Sequence, residues 1–306
     1  MRPIGANPFS YYFHSNHPAA TGNFMNLAIR AHDLGVKGET DILDRLNAYG
    51  TGGVQLVCYK SFADIPHAPG GITEERAAEI GGAFIKAGKR VELIGAYFNP
   101  VHSNPLKREA GIAVFKDYIK NAKALKCDIV GSETGSYNDD KWTYHPKNRT
   151  EEALQTVVGT FKDLCREAGR FGVNVGIEGA SGHVCYDVKT LKRAVDEIAV
   201  KNLRVIFDLY NFLDEANAEK YLDILHEGIG TFGENIRCFH IKDCKFTKDG
   251  PVQCAVGKGE LDFQAICKAI KRHNPDAVLI LEGTTGGDIP GSIRFINEKW
   301  EGATLL

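Results

Sequence analysis

Eight short apolar runs, set roughly one helix apart along the chain, limit what this sequence can fold into. Seven of them are VQLVCY (54–59), VELIGAY (91–97), CDIVGSE (127–133), VNVGIEG (173–179), LRVIFDL (203–209), IRCFHIK (236–242) and AVLILEG (277–283). The eighth, FMNLAIRA (24–31), opens the series. Most are continuously apolar rather than alternating. A strand of that kind is covered on both faces, as in a parallel sheet with helices packed on it.

The intervening segments read as those helices. In TEEALQTVVGTFKDLCREAGRFG the apolar residues Leu154, Val157, Val158, Phe161, Leu164, Cys165 and Ala168 recur at three-and-four spacing, which makes one buried stripe. Thr150 stands at the N-cap position, with Glu151 and Glu152 in the first turn, where acidic groups are favoured. Thr73, Glu74 and Glu75 open AAEIGGAFIKAGK in the same way, and DILDRLNAYGTGG reads as a helix ending in glycines. Strand and helix alternate eight times with no linker or shift in composition. This predicts an α/β fold, a single (β/α)8 barrel over residues 24–306, with residues 1–23 as an N-terminal extension that packs on or caps it. A doubly wound open sheet is the rival, but no G-x-G-x-x-G follows the first strand.

Composition narrows the function. The formal net charge of −2 gives no field that favours nucleic acid or an anionic membrane. No apolar run approaches the ~20 residues of a membrane span, and MRPIGANPFSYYFHSNHPAATG lacks the apolar core of a signal peptide. The eight cysteines form no C-x-x-C pair, and several lie in apolar runs, which reads as a reduced, cytoplasmic protein. In that setting the sequon NRT at Asn148 carries little weight.

The chemistry lies at the strand ends. VGIE ends in Glu178, VIFD in Asp208, RCFH in His240 and LILE in Glu282. Asp208 follows Glu178 by 30 residues, His240 follows Asp208 by 32, and Glu282 follows His240 by 42. One strand–helix unit of a barrel takes roughly 30 residues, and the last interval holds a long connection. All four side chains therefore stand on one rim and converge. Three carboxylates and an imidazole in so small a space repel unless a cation joins them. Mostly oxygen donors with one nitrogen suit one divalent ion: Mn2+, Mg2+, Co2+ or Zn2+.

With GIEGA, FDLYN, FHIKD, LILEG and GKGELDF in place, the chain resembles the xylose isomerase-like TIM barrel superfamily, in its sugar phosphate isomerase/epimerase branch, from about residue 24 to the end. The resemblance implies that Glu178, Asp208, His240 and Glu282 hold one divalent metal, most often Mn2+. It also implies that Glu178 and Glu282 are catalytic and move protons on opposite faces of the substrate. The expected activity is that of a metal-dependent isomerase or epimerase of a ketose or related polyol, acting through an enediolate. Two departures bear on the substrate. The epimerases carry Glu-Pro where this chain has Glu178-Gly179, and Asp-x-x-His where it has Asp208-x-x-Asn211. Asn211 hydrogen-bonds but carries no proton at neutral pH. An inosose dehydratase-like lyase is the alternative on the same scaffold. An endonuclease IV-like DNA repair enzyme is disfavoured by the missing histidines and basic surface, and a non-catalytic binding protein by the intact ligand set. The expected partner is a small sugar or polyol, without nucleic acid or membrane; oligomeric state stays open, a homo-oligomer included.

Further residues are candidates for the pocket. Tyr97, Asn99 and His102 follow strand three, Glu133 ends strand four, and His183 lies five residues after Glu178. Lys242 shares a face with His240 by alternation and so reaches substrate, unless it forms a rim ion pair with Asp243. The connections 134–148, with Trp142 and Tyr144, and 244–263 read as pocket walls or lids. Lys258, flanked by glycines, is a weak candidate for seating a phosphate.

Overall fold

The computed structural model describes residues 25–304; the extension expected over 1–23 lies outside them. The strands are β1 Asn26–Arg30, β2 Gly53–Leu56, β3 Arg90–Gly95, β4 Ile129–Glu133, β5 Asn174–Glu178, β6 Leu203–Asp208 and β7 Ile236–Ile241. The hairpin β8 Asp243–Thr247 and β9 Gly250–Cys254 follows, and then β10 Val278–Leu281. Strands β1 to β7 and β10 close into a barrel in the order β1-β10-β7-β6-β5-β4-β3-β2, every pairing parallel. The connecting helices are α1 Glu39–Ala48, α2 Cys58–Ser61, α3 Glu74–Lys86, α4 Pro105–Asn121, α5 Glu151–Arg170, α6 Val188–Ile198, α7 Tyr221–Phe232, α8 Phe263–His273 and α9 Ile289–Gly302. This is a (β/α)8 barrel. Among the described residues no helix is long and apolar enough to cross a membrane.

The helix signals act as read. The Thr73 side chain accepts the Arg76 amide at 3.2 Å, and Thr150 accepts that of Ala153 at 3.3 Å. All seven apolar residues of the α5 stripe are buried, each large one stabilising the fold by roughly 1.5–3 kcal/mol. The second apolar run departs from expectation. Its strand stops at Leu56, and Cys58–Ser61 form the single turn α2, with the Lys60 and Ser61 amides bonding back to Val57 O at 2.9 and 3.0 Å. Apolar burial continues through this turn, so composition alone did not mark the strand's end.

Inside the barrel, large and small residues are matched. Ile206 lies two residues below Asp208 and on the same face. A Cβ on Gly131 or Gly176 would come within 2.4 or 2.7 Å of its Cδ1. Register then places the rim: Glu133 pairs with Glu178 across β4–β5, and Asp208 with His240 across β6–β7.

On the outer face, α7 approaches β6 through a glycine. A Cβ on Gly228 would lie 2.1 Å from the ring of Phe207, which is fully buried against Phe212 and Phe239. Alanine favours a helix over glycine by about 1 kcal/mol, but overpacking costs about 1–3 kcal/mol where the neighbour cannot move. Gly228→Ala is expected to lower the unfolding free energy in urea. An unchanged or raised value would mean that Phe207 has room to turn.

Candidate metal centre and active site

Glu178 and Asp208 are the last residues of β5 and β6, His240 is the penultimate residue of β7, and Glu282 directly follows β10. Their exposures are 1, 0, 2 and 7%. His240 Nδ1 lies 3.2 Å from Glu178 Oε1, 3.7 Å from Asp208 Oδ2 and 3.1 Å from Glu282 Oε2. One donor atom each from Glu178, Asp208 and His240 lies within 4.8 Å of the other two, a spacing that can hold a metal ion. The structure thus brings together the four side chains expected from the strand ends, all three carboxylates approaching the same imidazole nitrogen.

Two cations and an amide tie the cluster. Lys242 Nζ is 2.8 Å from Asp208 Oδ2 and 3.0 Å from Glu282 Oε1, and it donates to Asn211 Oδ1 at 2.9 Å. Asn211 Nδ2 donates to Glu178 Oε1 at 2.8 Å, and its backbone amide donates to Asp208 Oδ1 at 3.1 Å. From the first strand, Arg30 Nη1 donates to Glu282 Oε1 at 2.5 Å while its other nitrogens grip Asp33 at 2.9 Å. Asp33 in turn accepts the Gly283 amide at 2.8 Å. Arg30 and Asp33 were missed in the sequence. The signal was there, since LAIR also ends an apolar run in a charged residue. Gln55, fully buried in β2 and donating to Tyr97 Oη at 2.8 Å, was missed as well.

Glu178 Oε2 and His240 Nε2 are buried without a hydrogen-bond partner, while Asp208 Oδ2 and Glu282 Oε2 are met only by the ion-pair contacts of Lys242 and His240. Burying polar atoms without full hydrogen bonding is costly, and three crowded carboxylates beside an imidazole have the chemistry of a cation site. The environment also separates the two glutamates. Burial pushes the Glu178 carboxyl up against the opposing pull of His240. Burial would raise Glu282 too, but Lys242, His240 and Arg30 hold it below the usual carboxylate range.

A cavity of about 900 Å³ opens beside this cluster, with Glu133, His183 and Asn211 at its inner end and Tyr210, Trp142 and Tyr144 among its walls. Burial raises the Glu133 carboxyl to about 7. His183 Nε2 lies 3.1 Å from Trp142 O, and its buried Nδ1 has no partner. The remaining expected substrate contacts are placed differently, and the Tyr97 phenol, held by Gln55, has its pKa raised by burial and by the nearby charges of Glu178, Glu282 and Glu133. Lys242 is inside the acid cluster. Tyr97 and His102 line a second cavity of about 330 Å³, which Trp142 separates from the first. His102 is engaged there by Asp140 Oδ1 at 3.1 Å and by the Asn104 amide at 3.0 Å.

The connection after β7 resolves two open readings. Asp243 does not pair with Lys242. Its carboxylate accepts the amides of Cys244, Gly257 and Gly259 at 2.8, 2.9 and 2.9 Å. A Cβ on Gly259 would strike Asp243 Oδ1 at 2.1 Å, so the glycines of GKGELDF serve this turn. Lys258 Nζ is taken by Asp288 Oδ1 at 2.5 Å.

Residues 43–299 match the family model described as a xylose isomerase-like TIM barrel. No curated protein matches the sequence. Among solved structures, a D-tagatose 3-epimerase-like protein superposes with a TM-score of 0.72 at 17% identity, covering 91% of this chain and 98% of that one. An IOLI protein with a bound zinc atom gives 0.70 at 14%, covering 92% and 100%. The 3-keto-D-glucoside 4-epimerase YcjR from E. coli, in its apo form, gives 0.66 at 15%, covering 91% and 98%. At these identities the likeness speaks for the fold.

His183 offers a test of the cavity wall. Burial lowers its pKa from the ordinary 6.5 to about 4. Between those values the unfolded chain takes up a proton that the fold refuses, so this residue's contribution to stability falls as pH drops below 6.5. The stability gap between wild type and His183→Gln should shrink by about 2 kcal/mol between pH 7 and pH 5, measured by denaturant unfolding at each pH. A gap independent of pH would mean that His183 is solvated.

Proposed function

Since the chain belongs to the xylose isomerase-like TIM barrel family, we propose that it is a divalent-metal-dependent enzyme that shifts a proton at a carbon beside a carbonyl, acting on a ketose or related polyol as an epimerase or aldose–ketose isomerase. The observation that carries this reading is the set of three buried carboxylates gathered around His240 Nδ1, with one donor atom each from Glu178, Asp208 and His240 within 4.8 Å of the other two. Glu178, Asp208, His240 and Glu282 would hold the ion. Their oxygen-rich set suits Mn2+ first, with Mg2+, Co2+ and Zn2+ as further fits. When bound, such a cation polarises the substrate carbonyl and offsets the charge that develops on its oxygen.

The chain's own groups supply the proton transfers. Glu282, paired with Arg30, Lys242 and His240, is the proposed proton acceptor. Glu178, raised by burial and steadied by Asn211, is the glutamate able to carry a proton. Glu133 and His183 line the cavity and are the proposed contacts to substrate hydroxyls. Lys242 neutralises the cluster, and Arg30 positions Glu282 through its hold on Asp33. All eight cysteines are free, which suits a cytoplasmic enzyme.

The purified protein is expected to hold about one divalent ion per chain, lost in Asp208→Ala. Incubated with a panel of ketoses in deuterated water, the wild type should exchange a substrate C–H for deuterium. Glu282→Gln should slow this by about 10²–10⁴. A metal-free wild type after reconstitution, or full exchange in Glu282→Gln, would overturn the reading. A conjugated ultraviolet-absorbing product would move it to a dehydratase.

A further inference from the structure

We infer that the cavity beside the acid cluster contains an outer subsite for a second, uncharged sugar ring, so that the substrate is a neutral glycoside rather than a free or phosphorylated monosaccharide. This rests on the reading of the inner site given above.

The first argument is size. At about 900 Å³ the cavity stands near the top of the ~300–1,000 Å³ range of pockets that take drug-sized ligands. Glu133, His183 and Asn211 at the inner end suffice for the hydroxyls of one ring. The space beyond them is bounded by Tyr144, Arg149, Asp214, Glu215 and Asp249.

The second argument is chemistry. Trp142, Tyr144 and Tyr210 offer flat apolar surface with polar edges, suited to the C–H face of a sugar. The charged wall is acidic. Asp214, Glu215 and Asp249 accept hydrogen bonds from hydroxyls and repel a phosphate or carboxylate. Arg149 does not offset them freely. Its guanidinium donates to His183 O and Ser181 O at 2.7 Å each and lies 3.6 Å from the centre of the Tyr186 ring. Lys258, the other cation considered for an anionic group, belongs to Asp288.

The third argument is that these walls are built. Asn148, 1% exposed, donates to Gly182 O at 2.8 Å and to Ser136 Oγ at 2.9 Å and accepts the Tyr137 amide at 2.9 Å. It thereby clamps the loop carrying Trp142 and Tyr144 to the loop carrying His183. Opposite, Tyr210 Oη donates to Pro251 O at 3.4 Å and steadies the β8–β9 hairpin against β6. An outer ring would meet surfaces already in position, which limits the ordering cost of binding.

The full-length protein, loaded with Mn2+, would be titrated by calorimetry with maltose, lactose, cellobiose and sucrose, with their constituent monosaccharides, and with glucose 6-phosphate. At least one disaccharide should bind about tenfold or more tightly than its monosaccharides. Tyr144→Ala, a change at a half-exposed wall residue, should remove that advantage and leave monosaccharide affinity unchanged. The subsite is overturned if no disaccharide outbinds its components, if glucose 6-phosphate binds most tightly, or if Tyr144→Ala leaves the preference intact. The assay needs no turnover, so it separates from the catalytic reading. Disaccharide preference without C–H exchange faults the chemistry and keeps the subsite; exchange on a monosaccharide without preference does the reverse.

Discussion

Three carboxylates buried around one imidazole dominate this molecule's architecture. Glu178, Asp208 and Glu282 each face His240 Nδ1 from a different strand, and in a medium of low dielectric their repulsion is large. Much of the surrounding structure answers that charge. Lys242 enters from β7's end, Arg30 from β1, and Asn211 threads between Glu178 and Lys242. Glu178, Asp208 and His240 are left with donor atoms close enough together to hold a metal ion.

The barrel and the four rim side chains were legible in the sequence because both depend on periodicity. Continuous apolar runs mark covered strands, and a ligand-type residue at the end of each of four successive runs is placed on one rim by the barrel's own repeat. Arg30 obeyed the same rule but went unread, because FMNLAIRA was the least regular of the runs. Gln55 was hidden differently. A lone polar residue inside the apolar run VQLVCY carries no periodic signal, yet it is fully buried and holds Tyr97.

What could not be read was the direction of loop side chains. His102 follows the right strand, yet it lines a neighbouring cavity across Trp142. Trp142 itself sits at φ 56°, a backbone setting no propensity scale would assign to tryptophan. The connection after β7 concealed a hairpin, and Asp243 beside the rim lysine proved to be a backbone anchor. In each case the deciding partner lies far away in sequence, as with Asn148 and Gly182 or Gly259 and Asp243.

The clasp of Arg30 on Glu282 joins residues 252 positions apart and spans the seam where β1 meets β10. That seam is the most non-local pairing of the barrel, and loop-closure entropy opposes it until the other strands are assembled. The acid cluster is therefore complete only once the ring has shut. Any ligand that engages Glu282 binds the closed form and favours it by mass action. In a folding experiment, occupancy of this centre becomes a clock hand for the last event, the moment at which an open curved sheet becomes a ring.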